Sequence, residues 1–367
     1  MKNFIPVSEP MLAGNEKKYV MDCLDTNWIS SLGKYVGQFE DNFAGFCGSA
    51  YGVAVSNGTV ALQLALAALG IKAGDEVIVP SLTFVATANA VKYVGARPVF
   101  ADSEKESWCI DPADIKRKIT HKTKAIIPVH VYGHPADMDE INGLAGQHGL
   151  AVVEDAAEAH GALYKGRRVG CFGAVGCFSF YGNKIITTGE GGMCVTDDNA
   201  LAGRMRFLKD QTMDHNRKYW HSEIGFNFRM TNIQAAIGVA QLEQVESFIK
   251  ARAGHEKLYR ELLSGVEGIS FQPRAEWASP VYWMHSVLVE KEFGMSRDNV
   301  MKKLKAAGID SRPFFYPNHV LPPYKTNEVL PVAEEIASKG INLPSSVNLS
   351  EEDIARVCAE IKKLKNG

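Results

Sequence analysis

The feature that most constrains this chain is a series of short, β-branched apolar runs alternating with helical patterns between about residues 50 and 200. Glu76-Val77-Ile78-Val79-Pro80 reads as a strand, Ala86 to Val91 as helix, and Pro98-Val99-Phe100-Ala101-Asp102 as the next strand. Asp111-Pro112 then opens a helix, with aspartate as cap and proline at the first helical position. Ala125 to Val131 and Leu150 to Val153 are near-continuous apolar runs. Strands of that kind must be covered on both faces, as in a parallel sheet. The alternation predicts an α/β unit, a mostly parallel sheet with helices on both sides.

After residue 230 the pattern changes. Thr231 to roughly Leu263 reads as one long helix, with Ile233, Ala236, Ile237, Ala240 and Val245 near helical spacing. Two strand candidates (Ile269–Phe271 and Ser286–Val289) and two helices follow, and they predict a compact α+β unit. Ser350 and Asp353 give the final helix a capping-box start. The expected division is a large domain over 1–250 and a small C-terminal domain over 251–367. A chain of 367 residues has length enough for both cores.

Composition excludes some classes of function. The net charge of −2 gives no electrostatic case for nucleic acid or an anionic membrane. The longest apolar stretch, Val60 to Ile71, is too short to cross a bilayer and contains Gln63. The first residues lack the apolar run of a signal peptide. Seven cysteines without a CxxC pair read as buried small residues in a reducing compartment, so the expected location is cytoplasmic.

Three segments carry chemistry. In Phe178-Ser179-Phe180-Tyr181-Gly182-Asn183-Lys184, a lysine ends an apolar strand, and three glycines follow by Gly192. It is either a solvated turn lysine or a partly desolvated amine, whose lowered pKa makes it a Schiff-base nucleophile. Ser56-Asn57-Gly58-Thr59 leads into a helix apolar on nearly every side. It is either an ordinary capped start or a phosphate cradle of free amides and hydroxyls, to which Ser179 could add. Glu154 and Asp155 end the run Leu150–Val153. Ligands collect at that end of a parallel strand, and a pyridinium nitrogen needs one buried carboxylate there. Asp155 is the candidate, since Glu154 points to the other face; a capping or salt-bridged acid is the alternative. His130 and His134 are four apart, but Gly133 and Pro135 argue against a helical metal pair, so no metal is expected. No Gly-x-Gly-x-x-Gly follows the first parallel strand, which argues against a dinucleotide fold.

Together, Ser56–Thr59, Glu154–Gly161, Ser179–Lys184, Thr188–Gly192 and Gly225–Asn232 resemble, in order, the motifs of the DegT/DnrJ/EryC1/StrS sugar aminotransferases. The resemblance runs from Pro6 to the last helix. It implies the aspartate aminotransferase-like fold type I, with a seven-stranded sheet, and pyridoxal 5′-phosphate (PLP) as cofactor. By that resemblance Lys184 carries the cofactor and Asp155 pairs with the pyridine nitrogen. Glu158 sits by the ring hydroxyl, Gly58, Thr59 and Ser179 hold the phosphate, and Phe84 stacks on the ring. Asn227 resembles the residue that completes the phosphate site from the second subunit of a homodimer; a turn asparagine is the alternative reading. Trp28-Ile29-Ser30-Ser31, Tyr219-Trp220, Arg229–Asn232 and Arg312–Tyr316 look like the subgroup acting on GDP-4-keto-6-deoxymannose. The substrate candidates are therefore Trp28, Ser30, Arg229, Arg312, Tyr316 and His319, with glutamate as amino donor. For Arg312, a surface salt bridge is as good a reading as a diphosphate contact. One departure is visible: Asp210-Gln211-Thr212 stands where such enzymes tend to read Gly-Gln-Gly. Other readings are a dTDP- or UDP-linked keto-sugar acceptor, a sugar 3-dehydratase, whose relatives replace the lysine with histidine, and a non-catalytic regulator.

Overall fold

The computed structural model describes residues 4–214 and 216–366. Seven strands form the main sheet: β1 (Tyr51–Val55), β2 (Glu76–Pro80), β3 (Arg97–Ala101), β4 (Thr123–Ile126), β5 (Ala151–Asp155), β6 (Val175–Ser179) and β7 (Gly192–Thr196). Their order across the sheet is β1-β7-β6-β5-β4-β2-β3. All run in one direction except β7, which is antiparallel to both neighbours, with Tyr51 opposite Thr196 and Cys177 opposite Cys194. β2, β6 and β7 are buried at every residue, so both faces are covered, as the lack of polar alternation requires.

The covering helices are α1 (Glu16–Asp25), α2 (Lys34–Cys47), α3 (Gly58–Ala68), α4 (Ala86–Tyr93), α5 (Pro112–Lys118), α6 (Met138–His148) and α7 (Asn199–Lys209). Asp111 caps α5 by accepting from the Ala113 amide at 2.8 Å, with Pro112 in the first turn. α3 packs against β6 and β7, which aims its first turn at the end of the sheet where Ser179 and Asp155 lie.

The apolar run at Ala125–Val131 is strand only to Ile126. Pro128 lacks an amide for the ladder, and the chain continues beside β5 through single contacts. The Pro128 carbonyl accepts from the Asp155 amide, and the Asp155 carbonyl accepts from the His130 amide. The helix expected from Thr231 to Leu263 is two, α8 (Asn232–Leu242) and α9 (Val245–Leu262). At the break the Glu243 carboxylate accepts from Asn15 and Tyr19, both at 2.7 Å, so tertiary contacts hold the bend. Apolar periodicity runs through both halves because each buries one face, and so cannot register the bend. Thr231 and Gln234 form a full capping box at the start of α8.

The C-terminal region is richer than expected. A four-stranded antiparallel sheet is built from β8 (Ile269–Phe271), β9 (His285–Val289), β10 (Arg312–Pro313) and β11 (Gly340–Leu343), in the order β8-β9-β11-β10. With it come α10 (Arg297–Ala306), α11 (Pro331–Lys339) and α12 (Glu351–Asn366). Two residues of β10 are too few to give a period, which is why that strand is silent in the sequence. Ser350 accepts from the Asp353 amide at 3.1 Å at the start of α12, as expected. Val287, Val289, Leu304, Ile341, Ile354 and Val357 form a second buried cluster, joined by Tyr259 from α9 and by Ile5. Six of the seven cysteines are buried and Cys171 is half-buried; none is paired. Among the described residues no helix is long and apolar enough to cross a membrane.

Candidate active site

The C-terminal ends of β5 and β6 and the start of α3 converge on one buried polar cluster. Asp155 closes β5, and its carboxylate accepts from the Thr87 hydroxyl at 2.7 Å and the Ala157 amide at 3.2 Å. Glu158, on the following turn, is also buried and accepts from the Tyr132 amide at 2.7 Å. Tyr132 adopts a left-handed backbone (φ 54°), unusual for a bulky residue, and that conformation turns its amide inward. Lys184 reaches in from the turn after β6. Its Nζ lies 3.8 Å from Glu158 and 3.7 Å from the centre of the Trp283 ring.

Burial governs the titration of all three groups. It lowers the pKa of Lys184, while Glu158 and Asp155 pull the other way. It raises Asp155 and pushes Glu158 up to about 7, against the opposing pull of Lys184. Burial thus works toward the neutral, nucleophilic form of Lys184.

Asn57 caps α3 by accepting from the Val60 amide at 3.0 Å. This leaves the amides of Gly58 and Thr59 without an intrahelical partner, at the positive end of a helix dipole. A side chain at residue 58 would place its Cβ 2.6 Å from Ser179 Cβ, so only glycine lets α3 and the end of β6 meet. The residues fit PLP: amides and a hydroxyl for a phosphate, a buried carboxylate with unused lone pairs for a pyridinium, and a desolvated amine.

Around this centre stands an aromatic wall. Tyr132 lies nearly parallel to Trp283 and Phe315, with ring centres 6.3 and 5.4 Å away. Phe84 sits 5.7 Å from Phe315 and is itself exposed. The Trp283 indole N–H donates to the Asn183 carbonyl at 2.8 Å, which fixes the turn that bears Lys184. Sequence reasoning missed Thr87, Tyr132, Trp283 and Phe315. Trp283 arrives about a hundred positions after Lys184 in chain order, and no local pattern links the two.

The remaining candidates are scattered. Trp28 is 55% exposed. Its carbonyl and that of Ser30 accept from the Asn232 side chain and amide at 2.7 and 2.6 Å, which hangs this exposed segment on α8. Trp28 lines a cleft of about 310 Å³ with Asp22, Thr26, Gly33, Lys34 and Asn232. Tyr316, 63% exposed, follows Phe315, whose amide donates to the Tyr132 hydroxyl at 3.1 Å. Arg312 is exposed, 3.4 Å from Asp310. Asn227 is exposed and Arg229 half-buried, and they contact each other. His319 is not at the opening: it is 1% exposed, with one ring nitrogen 2.6 Å from Ser81 and the other 3.1 Å from Glu334. Both nitrogens are occupied in tying the 318–320 turn to Ser81, just past β2, and to α11, so the histidine expected to face substrate serves here as a structural tie.

The chain belongs to the DegT/DnrJ/EryC1/StrS aminotransferase family, which it matches over residues 10–362. It is a PLP-dependent aminotransferase. Among its relatives, it is 48% identical over 363 residues to GDP-perosamine synthase of Caulobacter vibrioides, with 98% of each chain covered. It is likewise 48% identical over 361 residues to GDP-perosamine synthase of Escherichia coli O157:H7, again with 98% of each covered. The solved structure of DesV from S. venezuelae superposes with a TM-score of 0.90 at 37% identity, covering 96% of this chain and 95% of that one.

Proposed function

We propose that the protein transfers the amino group of glutamate to C4 of GDP-4-keto-6-deoxymannose, giving 2-oxoglutarate and GDP-perosamine, a precursor for O-antigen in lipopolysaccharide biosynthesis. The observation that carries the chemistry is the dry Lys184 amine beside Glu158 and Asp155. Full-length similarity to two GDP-perosamine synthases supports the choice of acceptor.

When bound, PLP supplies an electrophilic carbon and a pyridinium ring that draws electrons from the carbon bearing the amino group. Asp155 would keep that ring nitrogen protonated, and Glu158 would be available to the ring hydroxyl. Gly58, Thr59 and Ser179 would hold the phosphate and so orient the cofactor for both substrates. Phe84 would pack against the cofactor, and the wall of Tyr132, Trp283 and Phe315 would help to exclude water. Lys184 Nζ takes the proton from the α-carbon of glutamate in the first half-reaction and delivers one to sugar C4 in the second. Glu158, able to hold a proton near neutrality, keeps Lys184 ready for both roles. Trp28, Ser30, Arg312 and Tyr316 are the candidates to meet the nucleotide sugar.

The working unit in this reading is a cytoplasmic homodimer, its chains divided near residue 250, with Asn227 completing the phosphate site of the other subunit. Exposed Leu24, Trp28, Ile29, Leu32, Trp220 and Ile224 give such a dimer apolar surface to bury. The test is single-turnover discharge of the amino-loaded enzyme against GDP-, dTDP- and UDP-linked 4-keto-sugars. Discharge is expected fastest with GDP-4-keto-6-deoxymannose, and a tenfold preference for another nucleotide overturns the acceptor. For the dimer, co-expressed Lys184→Ala and Asn227→Ala chains should recover activity in the doubly tagged heterodimer. No recovery there, with confirmed heterodimers and a clearly impaired Asn227→Ala parent, rules out the shared site.

A further inference from the structure

Asp210, Arg229 and Asn227 form a connected side-chain chain just past the end of β1. Asp210 and Asn227 face each other across an antiparallel backbone bridge. One guanidinium nitrogen of Arg229, Nη1, donates to Asp210 Oδ1 at 2.6 Å. The other two, Nε and Nη2, donate to Asn227 Oδ1 at 3.2 and 2.9 Å. Arg229 also bridges Val55 at the end of β1, and the Phe228 carbonyl accepts from the Ser56 amide at 2.9 Å. These contacts fix the segment to the end of β1 of its own chain, while the phosphate that Asn227 would meet is the other subunit's.

The consequence lies in which end of the Asn227 carboxamide is left free. Arginine only donates, so it engages the amide oxygen, and the oxygen here receives two of its bonds. The NH₂ end of this exposed side chain is then the end left to meet a ligand, and it offers donors alone. Donors suit a phosphate; a flipped amide would present its oxygen and repel one. Arg229 cannot hold this geometry unaided, because a mobile guanidinium would turn to any nearby anion. The Asp210 carboxylate fixes its far side through a charge-assisted bond. The turn after Asp210 holds that carboxylate in place: Gln211 and Thr212 are both left-handed (φ 64° and 54°), and the Gln211 amide donates to the Phe226 carbonyl.

We propose that Asp210 and Arg229 are positioning residues, which lock Asn227 with its amide N–H groups turned outward to bind the cofactor phosphate of the other subunit. The proposal rests on the reading of Asn227 given above. It moves Arg229 from the substrate, where the sequence put it, to the support of a neighbour.

The experiment measures the affinity of the full-length protein, freed of cofactor, for pyridoxamine 5′-phosphate and for pyridoxamine, by quenching of tryptophan fluorescence. Asn227→Ala should weaken the phosphorylated ligand about tenfold and Asp210→Ala about fivefold, as expected for buried or charge-assisted polar contacts. In the Asn227→Ala background, Asp210→Ala should add nothing. Pyridoxamine, which lacks the phosphate, should bind all variants alike. Asp210→Asn keeps an acceptor for Arg229 and should stay within about twofold of the parent. Arg229→Met should repeat the Asp210→Ala loss, so a single misfolded variant does not decide the matter. If Asn227→Ala leaves the affinity unchanged, the reading of Asn227 itself falls and takes the clamp with it. If Asn227→Ala weakens binding but Asp210→Ala does not, or if the two losses multiply, the clamp is overturned while Asn227 stands. Equal losses for pyridoxamine would show general damage and also overturn it.

Discussion

Glu154 and Asp155 are neighbours on β5, both buried, and they face opposite sides of the sheet, yet their surroundings differ in kind. Glu154 accepts from the amides of Gly170, Phe172 and Gly173 at 2.6–2.7 Å, with His130 Nε2 at 3.1 Å. Its lone pairs are filled, and it closes the loop that leads into β6. Asp155 has one hydroxyl and one amide. A carboxylate has about four acceptor sites, so Asp155 keeps capacity that the protein does not use. A saturated buried acid belongs to the architecture. A half-satisfied one, its pKa raised by burial, is waiting for a cation.

Lys184→Ala tests the ligand side of that contrast most severely. It should cut amino transfer about a thousandfold or more while the protein still folds, and borohydride should no longer fix cofactor to the chain. Label on another lysine, or transfer within tenfold of the parent, breaks the assignment. The paired exchange Asp155→Asn and Glu154→Gln comes next. Asp155→Asn should lower turnover about a hundredfold with little change in denaturant midpoint. Glu154→Gln, which sets amide donors against amide donors, should cost about 3 kcal/mol of stability and leave folded enzyme active within a few-fold. A reversal of the two outcomes would show that lone-pair saturation does not separate the roles. The smallest effect concerns Glu158. Its folded pKa is raised above the unfolded value, so between pH 4.5 and about 7 the folded state holds the extra proton. Its contribution is therefore present below that window and is lost as pH rises through it. Glu158→Gln should flatten this part of the stability curve of the cofactor-free protein, measured by urea unfolding; an unchanged slope would place the titration elsewhere.

Much of the sheet was legible because a doubly covered strand writes its burial into every residue: Glu76–Pro80 matches β2 residue for residue. The positions of Lys184, Asp155 and Gly58 at strand ends and a helix start were legible because each sits at a junction of strand, turn and helix, where local sequence carries the signal. His319 was misread because a histidine in a polar-aromatic loop looks the same whether it faces ligand or, as here, Ser81 and Glu334. Thr87 and Trp283 were invisible because their proximity to Asp155 and Lys184 comes only from tertiary packing. Asp210-Gln211-Thr212 was legible as a departure, but the backbone explains its shape. Of the two positions where such enzymes tend to carry glycine, Thr212 is left-handed (φ 54°), a conformation glycine takes without strain, whereas Asp210 (φ −110°) is not.

The pairing of β1 with β7 bears on how this chain comes into being. Tyr51–Val55 finds its ladder partner, Gly192–Thr196, only about 140 residues later, and Ile5 meets Ile309 later still. On the ribosome, the first strand therefore emerges long before anything exists to pair with it, and its apolar residues must wait. Contacts so distant in sequence slow closure and leave apolar surface and an unpaired strand edge exposed until their partners arrive. A nascent chain stopped before β7 lacks the strand that joins β1 to the rest of the sheet, and one stopped before Ile309 leaves its own beginning undocked.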